Sequence, residues 1–178
     1  MTNADDVWRD VFVTGLKNAH AVENQALALM DRQIERARNF TEVADRLKAH
    51  RHETEGQILR LETLLDGFDE KPSGLKDAAL SLGGNLAAMS HSFAEDEILK
   101  NAFANYAFEN FEAASYRALI LLAESGGYSA AYDPLAATLE EEVRMARWVT
   151  TACPCWSRNT SSSGAPARRP AAEPSGEF

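Results

Sequence analysis

The chain has 178 residues, 45% hydrophobic and 25% charged, which is long enough for one domain with a proper core. Its formal net charge is −9, and its Lys and Arg are scattered along the sequence. That argues against nucleic-acid binding, which needs a clustered basic surface to neutralise phosphates. No apolar run reaches the length of a membrane span, and the opening MTNADDVWRD is acidic where a secretory signal would be basic and then apolar, so the expected location is the cytoplasm.

The first predicted helix covers residues 5–38 and opens on Asp5 and Asp6, acids that suit the positive helix N-terminus. At about 100° of rotation per residue, Leu16, Glu23, Leu27, Met30 and Ile34 share one stripe. Asn39 and Glu42 stand three apart like a capping box, which starts a second helix over 40–66. Its inner stripe is Leu47, His50, Thr54, Ile58, Leu61 and Leu65, with Glu53 one turn after His50 on the flank. Gly67 ends that helix, and Pro72 and Gly74 mark a loop. Leu75, Ala79, Leu82, Leu86 and Met89 predict a short connecting helix within 75–90, interrupted by Gly83 and Gly84.

Ser92 and Glu95 form another capping-box pair and open a third long helix over 93–124, which Gly126 and Gly127 stop. Its inner stripe runs Tyr106, Glu109, Ala113, Tyr116 and Ile120, with Glu112 on the same side. The fourth helix, 129–150, has Asp133 and Pro134 near its start and carries Leu135, Leu139, Glu142, Ala146 and Val149. After Thr151 the composition turns to Pro, Ser, Ala, Gly and Arg, with four of the six prolines. The expected division is therefore a helical bundle over 1–150 and a disordered tail over 151–178, whose composition would also suit a frameshifted, non-native end. Cys153 and Cys155, the only cysteines, lie in that segment, where no third thiol completes a soft-metal site. Two long helices, a crossover with a small helix and two more long helices describe an all-α four-helix bundle of the ferritin-like variety.

Each long helix interrupts its apolar seam with an acid near the middle: Glu23, Glu53 beside His50, Glu109 with Glu112, and Glu142. Glutamate is a common helix former, and one such acid on one helix means little. One on each of four helices points to a cation along the bundle axis, because buried carboxylates need a shared positive charge. Oxygen donors with one imidazole suit iron or manganese. His20, His52 and His91 are expected at the surface. Val7, Trp8, Val11 and Phe12 form an apolar head to the first helix that predicts a homodimer.

The runs Val11-Phe-Val-Thr-Gly-Leu-Lys17, Ala21-Val-Glu-Asn-Gln25, His52-Glu-Thr-Glu-Gly-Gln57 with Arg60-Leu-Glu62, Glu112-Ala-Ala-Ser-Tyr116 and Thr138-Leu-Glu-Glu-Glu142 resemble the stress-associated YciE/YciF-type ferritin-like family, in order over residues 7–149. The resemblance implies a dimeric bacterial four-helix bundle, induced by stress in some members, with no established biochemical activity. By likeness to rubrerythrins and bacterioferritins it also implies a dinuclear iron site at Glu23, His50, Glu53, Glu109, Glu112 and Glu142. The chain departs from the family pattern at Asn110, where histidine is common, at Ala146, where aspartate is common, and at Met145, where a fourth-helix histidine would fall. Two readings follow: a carboxylate-bridged iron or manganese protein of stress defence, or a metal-free helical dimer that works as an interaction scaffold. The sequence identifies no reaction.

Overall fold

A computed structural model describes residues 4–72 and 97–162. Four long helices account for nearly all of them: α1 (Ala4–Arg36), α2 (Thr41–Asp66), α3 (Glu97–Gly126) and α4 (Tyr132–Ser162). Short 3₁₀ turns at Ala37–Asn39 and Ser129–Ala131 join α1 to α2 and α3 to α4. These tight connections make two antiparallel hairpins, α1 packed along α2 and α3 along α4. The hairpins meet chiefly through α1 against α3, with a lighter contact of α2 with α4. The bundle expected from the seam pattern is present, with no strand among the described residues. The connecting helix expected within 75–90 and the position of His91 lie outside the described residues.

Helix ends follow local chemistry. Past α2, Glu70 N–H bonds Leu65 O at 3.0 Å and Asp69 N–H bonds Asp66 O at 3.0 Å, with Asp69 in the left-handed region at φ 57°. Past α3 the same pattern recurs as Tyr128 N–H to Ala123 O at 2.8 Å and Gly127 N–H to Glu124 O at 3.2 Å, here with a glycine at φ 74°. Both are Schellman caps, which satisfy last-turn carbonyls. The capping box expected at Asn39 does not form: Asn39 sits in the 3₁₀ turn, Phe40 is the N-cap of α2, and no side chain caps it.

The last helix outruns its expected end. Regular structure was expected to stop near 152, yet α4 passes through Pro154 to Ser162. A single proline removes one backbone bond, at about 3 kcal/mol, and a helix anchored by packing can absorb that. Averaged over 151–178 as one block, the composition hides this.

The core has layers. At one end Phe12, Val13, Leu16, Leu61, Leu65, Tyr116, Leu119, Ala131 and Leu135 form an apolar cluster. Phe12 stacks on Tyr128 at 5.1 Å and meets Phe68 edge-on at 5.6 Å. Phe12 is completely buried, contrary to its expected place on an exposed apolar head; one residue after Val11, it turns about 100° into the core. Gly15 lets α1 approach α3, since a Cβ there would stand 2.7 Å from Leu119. At the other end Val22, Ala26, Met30, Leu47, Phe108, Met145 and Val149 form a second cluster. Between the two lies a buried layer of Glu23, His50, Thr54, Gln57, Glu109, Glu112, Thr138 and Glu142.

Candidate metal centre

All four helices supply the middle layer: α1 gives Glu23, α2 gives His50, Thr54 and Gln57, α3 gives Glu109 and Glu112, and α4 gives Thr138 and Glu142. Each lies on the stripe that buries apolar residues one or two turns away, so the packing that forms the bundle also drives these polar groups inward.

At the centre His50, Glu109 and Glu142 converge, with one ligand atom of each within 4.8 Å of the others. His50 Nε2 stands 3.1 Å from Glu109 Oε2 and 3.7 Å from Glu142 Oε2. The short contact lacks hydrogen-bond alignment, since Glu109 Oε2 is buried with no hydrogen-bond partner. Two atoms that face a common third point have this geometry: adjacent ligands about 2.1 Å from one ion stand about 3 Å apart.

Glu23 and Glu112 share the layer without joining that triad. Tyr116 O–H donates to Glu23 Oε1 at 2.5 Å. Burial raises the Glu23 carboxyl to about 7, against the lowering effects of the Tyr116 bond and of His50. Burial, and then the charges of Glu23, Glu142 and Glu109, push the Glu112 carboxyl well above the usual range. Glu142 is raised likewise, by burial and then by Glu23 and Glu109. The Tyr116 phenol is pushed up by burial and then by Glu23. Four acids in one dry layer can stay ionised only beside a cation.

Glu53 is placed differently. It is about a quarter exposed and takes His50 Nδ1 at 3.0 Å, on the side of the ring away from Glu109 and Glu142. Arg46 at 3.4 Å and Arg144 at 3.6 Å flank its carboxylate. Burial works to raise the Glu53 carboxyl, but His50 and the two arginines prevail and hold it at about 2. Burial alone would lower the His50 imidazole, but the carboxylates of Glu109 and Glu53 overcome it and lift it to about 10. Glu53 therefore fixes the ring through Nδ1 and leaves Nε2 facing the core, the arrangement that metal-binding histidines use.

The donor set fits a hard or borderline cation. Glu109 Oε2, Glu112 Oε1 and Glu142 Oε2 are all buried without a hydrogen-bond partner. A buried carboxylate oxygen left in that state costs roughly 1–3 kcal/mol or more. Oxygens with one imidazole are what iron and manganese take. Among the departures, Met145 and Ala146 are buried apolar residues, while Asn110 is exposed and donates to Tyr106 O, so none of them adds a ligand.

Other placements differ from expectation. Tyr106, expected on the inner stripe, is 43% exposed. The inner face of α3 runs instead through Phe108, Glu109, Glu112, Ala113, Tyr116 and Leu119, and Tyr106 falls off its edge. His20, expected at the surface, is buried against Glu62 at 3.3 Å and Asn24, whereas His52 is exposed. Sequence reasoning missed Gln57, which is fully buried, and its neighbours Arg60 and Glu141. The signal was there: Gln57 lies seven residues after His50 and four before Leu61, on the stripe assigned to Ile58.

The family described as Domain of unknown function (DUF892) matches residues 7–160. Protein YciF of Escherichia coli K12 is 31% identical over 137 residues, which is 75% of this chain and 82% of that protein. Among solved structures, a Xanthomonas campestris protein superposes with a TM-score of 0.75 at 28% identity, over 87% of this chain and 97% of its own. The structure of the E. coli stress protein YciF gives 0.71 at 27% identity, over 88% and 98%. No helix among the described residues is long and apolar enough to cross a membrane.

Proposed function

This chain belongs to the DUF892 family, that of YciF-type proteins, and we propose that it is a stress-associated helical-bundle protein whose buried centre binds iron or manganese. The convergence of His50, Glu109 and Glu142 in a layer that leaves one oxygen of each carboxylate without a hydrogen bond carries this reading. Those three residues would hold one ion, and Glu23 and Glu112 in the same layer would help to hold a second. Glu53 orients His50 and stays outside the ligand set.

A bound ion of this kind supplies a redox-active Lewis acid. The chain's own part is to hold the imidazole through Nδ1, to exclude water with the apolar clusters at either end, and to anchor Glu23 through the Tyr116 hydroxyl. Metal-depleted protein refolded with Mn(II) or Fe(II) gains several degrees of melting temperature, as any ligand that prefers the native state produces. Replacing Glu23 and Glu109 with Gln abolishes the gain. Unchanged melting with saturating metal would leave the alternative, a metal-free scaffold, which the presence of a single α4 acid, Glu142, in the buried layer of the described residues favours.

The protein acts as a homodimer in the cytoplasm on this reading. Phe103, Phe111 and Leu121, exposed at 60%, 41% and 62%, line one outer face of α3 with the exposed Ala107, Ala114 and Ala118 between them. Val7, Trp8 and Val11 add apolar surface on α1. A stripe of this kind over several turns is suited to a partner helix. Light scattering at micromolar concentration that found only a 19.5 kDa species would refute the dimer.

A further inference from the structure

We infer that Gln57 is a positioning residue for the centre, an inference that rests on the metal-binding reading above. Gln57 lies on α2 two turns past His50 and is completely buried. Its Nε2 donates to two carboxylates at once, Glu142 Oε1 and Glu141 Oε2, the latter at 3.0 Å. Glu141 Oε2 also accepts from the Arg60 guanidinium, so it has only acceptor capacity to offer, and the nitrogen end of the amide must face it.

The consequence falls on Glu142. Its Oε1 is held by Gln57, while its Oε2 is buried, unpartnered and 3.7 Å from His50 Nε2. Gln57 thereby decides which oxygen Glu142 presents to the ion, and removes the rotation that would make the carboxylate adaptable. A neutral amide does this without adding a charge of either sign to a layer that already holds four acids.

The far end of the amide is anchored as well. Arg60 Nη2 pairs with the same Glu141 Oε2 that accepts from Gln57, and both side chains are largely covered. A chain of contacts thus runs from the half-buried Arg60 through Glu141 and Gln57 to Glu142. Its first member, a permanently charged guanidinium, has no lone pair to offer a metal. The arrangement has a price in stability, since Gln57 Oε1 and Arg60 Nε are buried without partners. A residue kept only to stabilise the fold would be replaceable with profit by an apolar side chain of the same length.

The test uses the full chain and Mn(II) as probe, with affinity measured by calorimetry and melting measured on the metal-depleted form. Gln57→Met and Gln57→Leu keep the volume and remove the amide. The expected result is Mn(II) affinity lower by about 10- to 100-fold, the usual effect of losing a residue that orients a ligand, with metal-free melting unchanged or raised. Glu141→Gln, which leaves Gln57 one carboxylate acceptor and weakens the anchor, gives a smaller loss, under about tenfold. The proposal is overturned if both apolar variants bind Mn(II) as the wild type does. It is equally overturned if metal-free melting falls in step with affinity in every variant that folds, which would mark a packing role. Wild-type protein that binds no Mn(II) or Fe(II) would overturn the metal reading itself and this inference with it.

Discussion

The cluster around Phe12, Leu16 and Leu65 and the layer around His50, Glu109 and Glu142 are built by the same four helices, at similar burial, with opposite physics. In the cluster each side chain gains by leaving water, roughly 1.5–3 kcal/mol for a fully buried large apolar group. In the layer each ionised acid loses by leaving water, and its neighbours make the loss worse. The cluster explains itself as structure. The layer is stable as it stands only with protons or a cation in it, and that need supports the metal-binding reading proposed above.

The contrast is sharpest under truncation. Phe12→Ala removes a ring buried against Phe68 and Tyr128 and is expected to destabilise the fold by about 3–5 kcal/mol while leaving metal affinity unchanged in the folded fraction. Chemical denaturation with and without Mn(II) measures both quantities. In the middle layer the sign reverses. Glu112→Leu replaces a fully buried acid with an orphaned oxygen by an apolar side chain, and is expected to stabilise the metal-free fold by about 1–3 kcal/mol while weakening metal binding. A Glu112→Leu protein less stable than wild type without metal would break the comparison.

Acidity separates the regions more gently. Glu23 has a carboxyl raised from 4.5 to about 7, so between those values the folded state binds more protons than the unfolded chain, and stability falls as pH rises through that window. His50, raised from 6.5 to about 10, acts in the same direction above pH 6.5, because the stabilising charge on its ring is lost as pH rises toward 10. Glu53, held at about 2, opposes them only below about 4.5. Metal-depleted protein should therefore melt at progressively lower temperature from about pH 5 upward. The metal's own stabilising increment should grow with pH over the same range, because its ligands must be deprotonated. Melting curves in chelator and in excess Mn(II) at several pH values check the crossing; parallel profiles would contradict it. The smallest effect belongs to the apolar end. Asp69→Gly relieves a left-handed residue in the cap after α2 and is expected to add less than about 1 kcal/mol, with no change in metal affinity.

Much of this was legible in the sequence. Helical period and breakers located α1, α2, the end of α3 and the start of α4 to within a few residues, and missed the end of α4, because they report burial and backbone constraint directly. Glu23, His50, Glu109, Glu112 and Glu142 could be placed on inner faces for the same reason. What period alone cannot resolve is a rotation of about 100° between neighbours. Phe12 was therefore put outside with Val11, Ile58 was read where Gln57 is buried, and Tyr106 was turned inward. Glu53 shows a second limit: a flank position one turn from His50 fits a ligand or a residue that orients one, and the contact with Nδ1 supports the second reading. Gln57 was invisible as chemistry because a glutamine has no charge to draw notice.

The most direct test is a crystal of the protein soaked in Mn(II), with anomalous scattering recorded at the manganese edge. The account predicts a peak about 2.0–2.3 Å from His50 Nε2, Glu109 and Glu142, with Glu53 still on His50 Nδ1 and outside the coordination sphere. A middle layer without anomalous density, its acids turned toward one another or toward water, would contradict it.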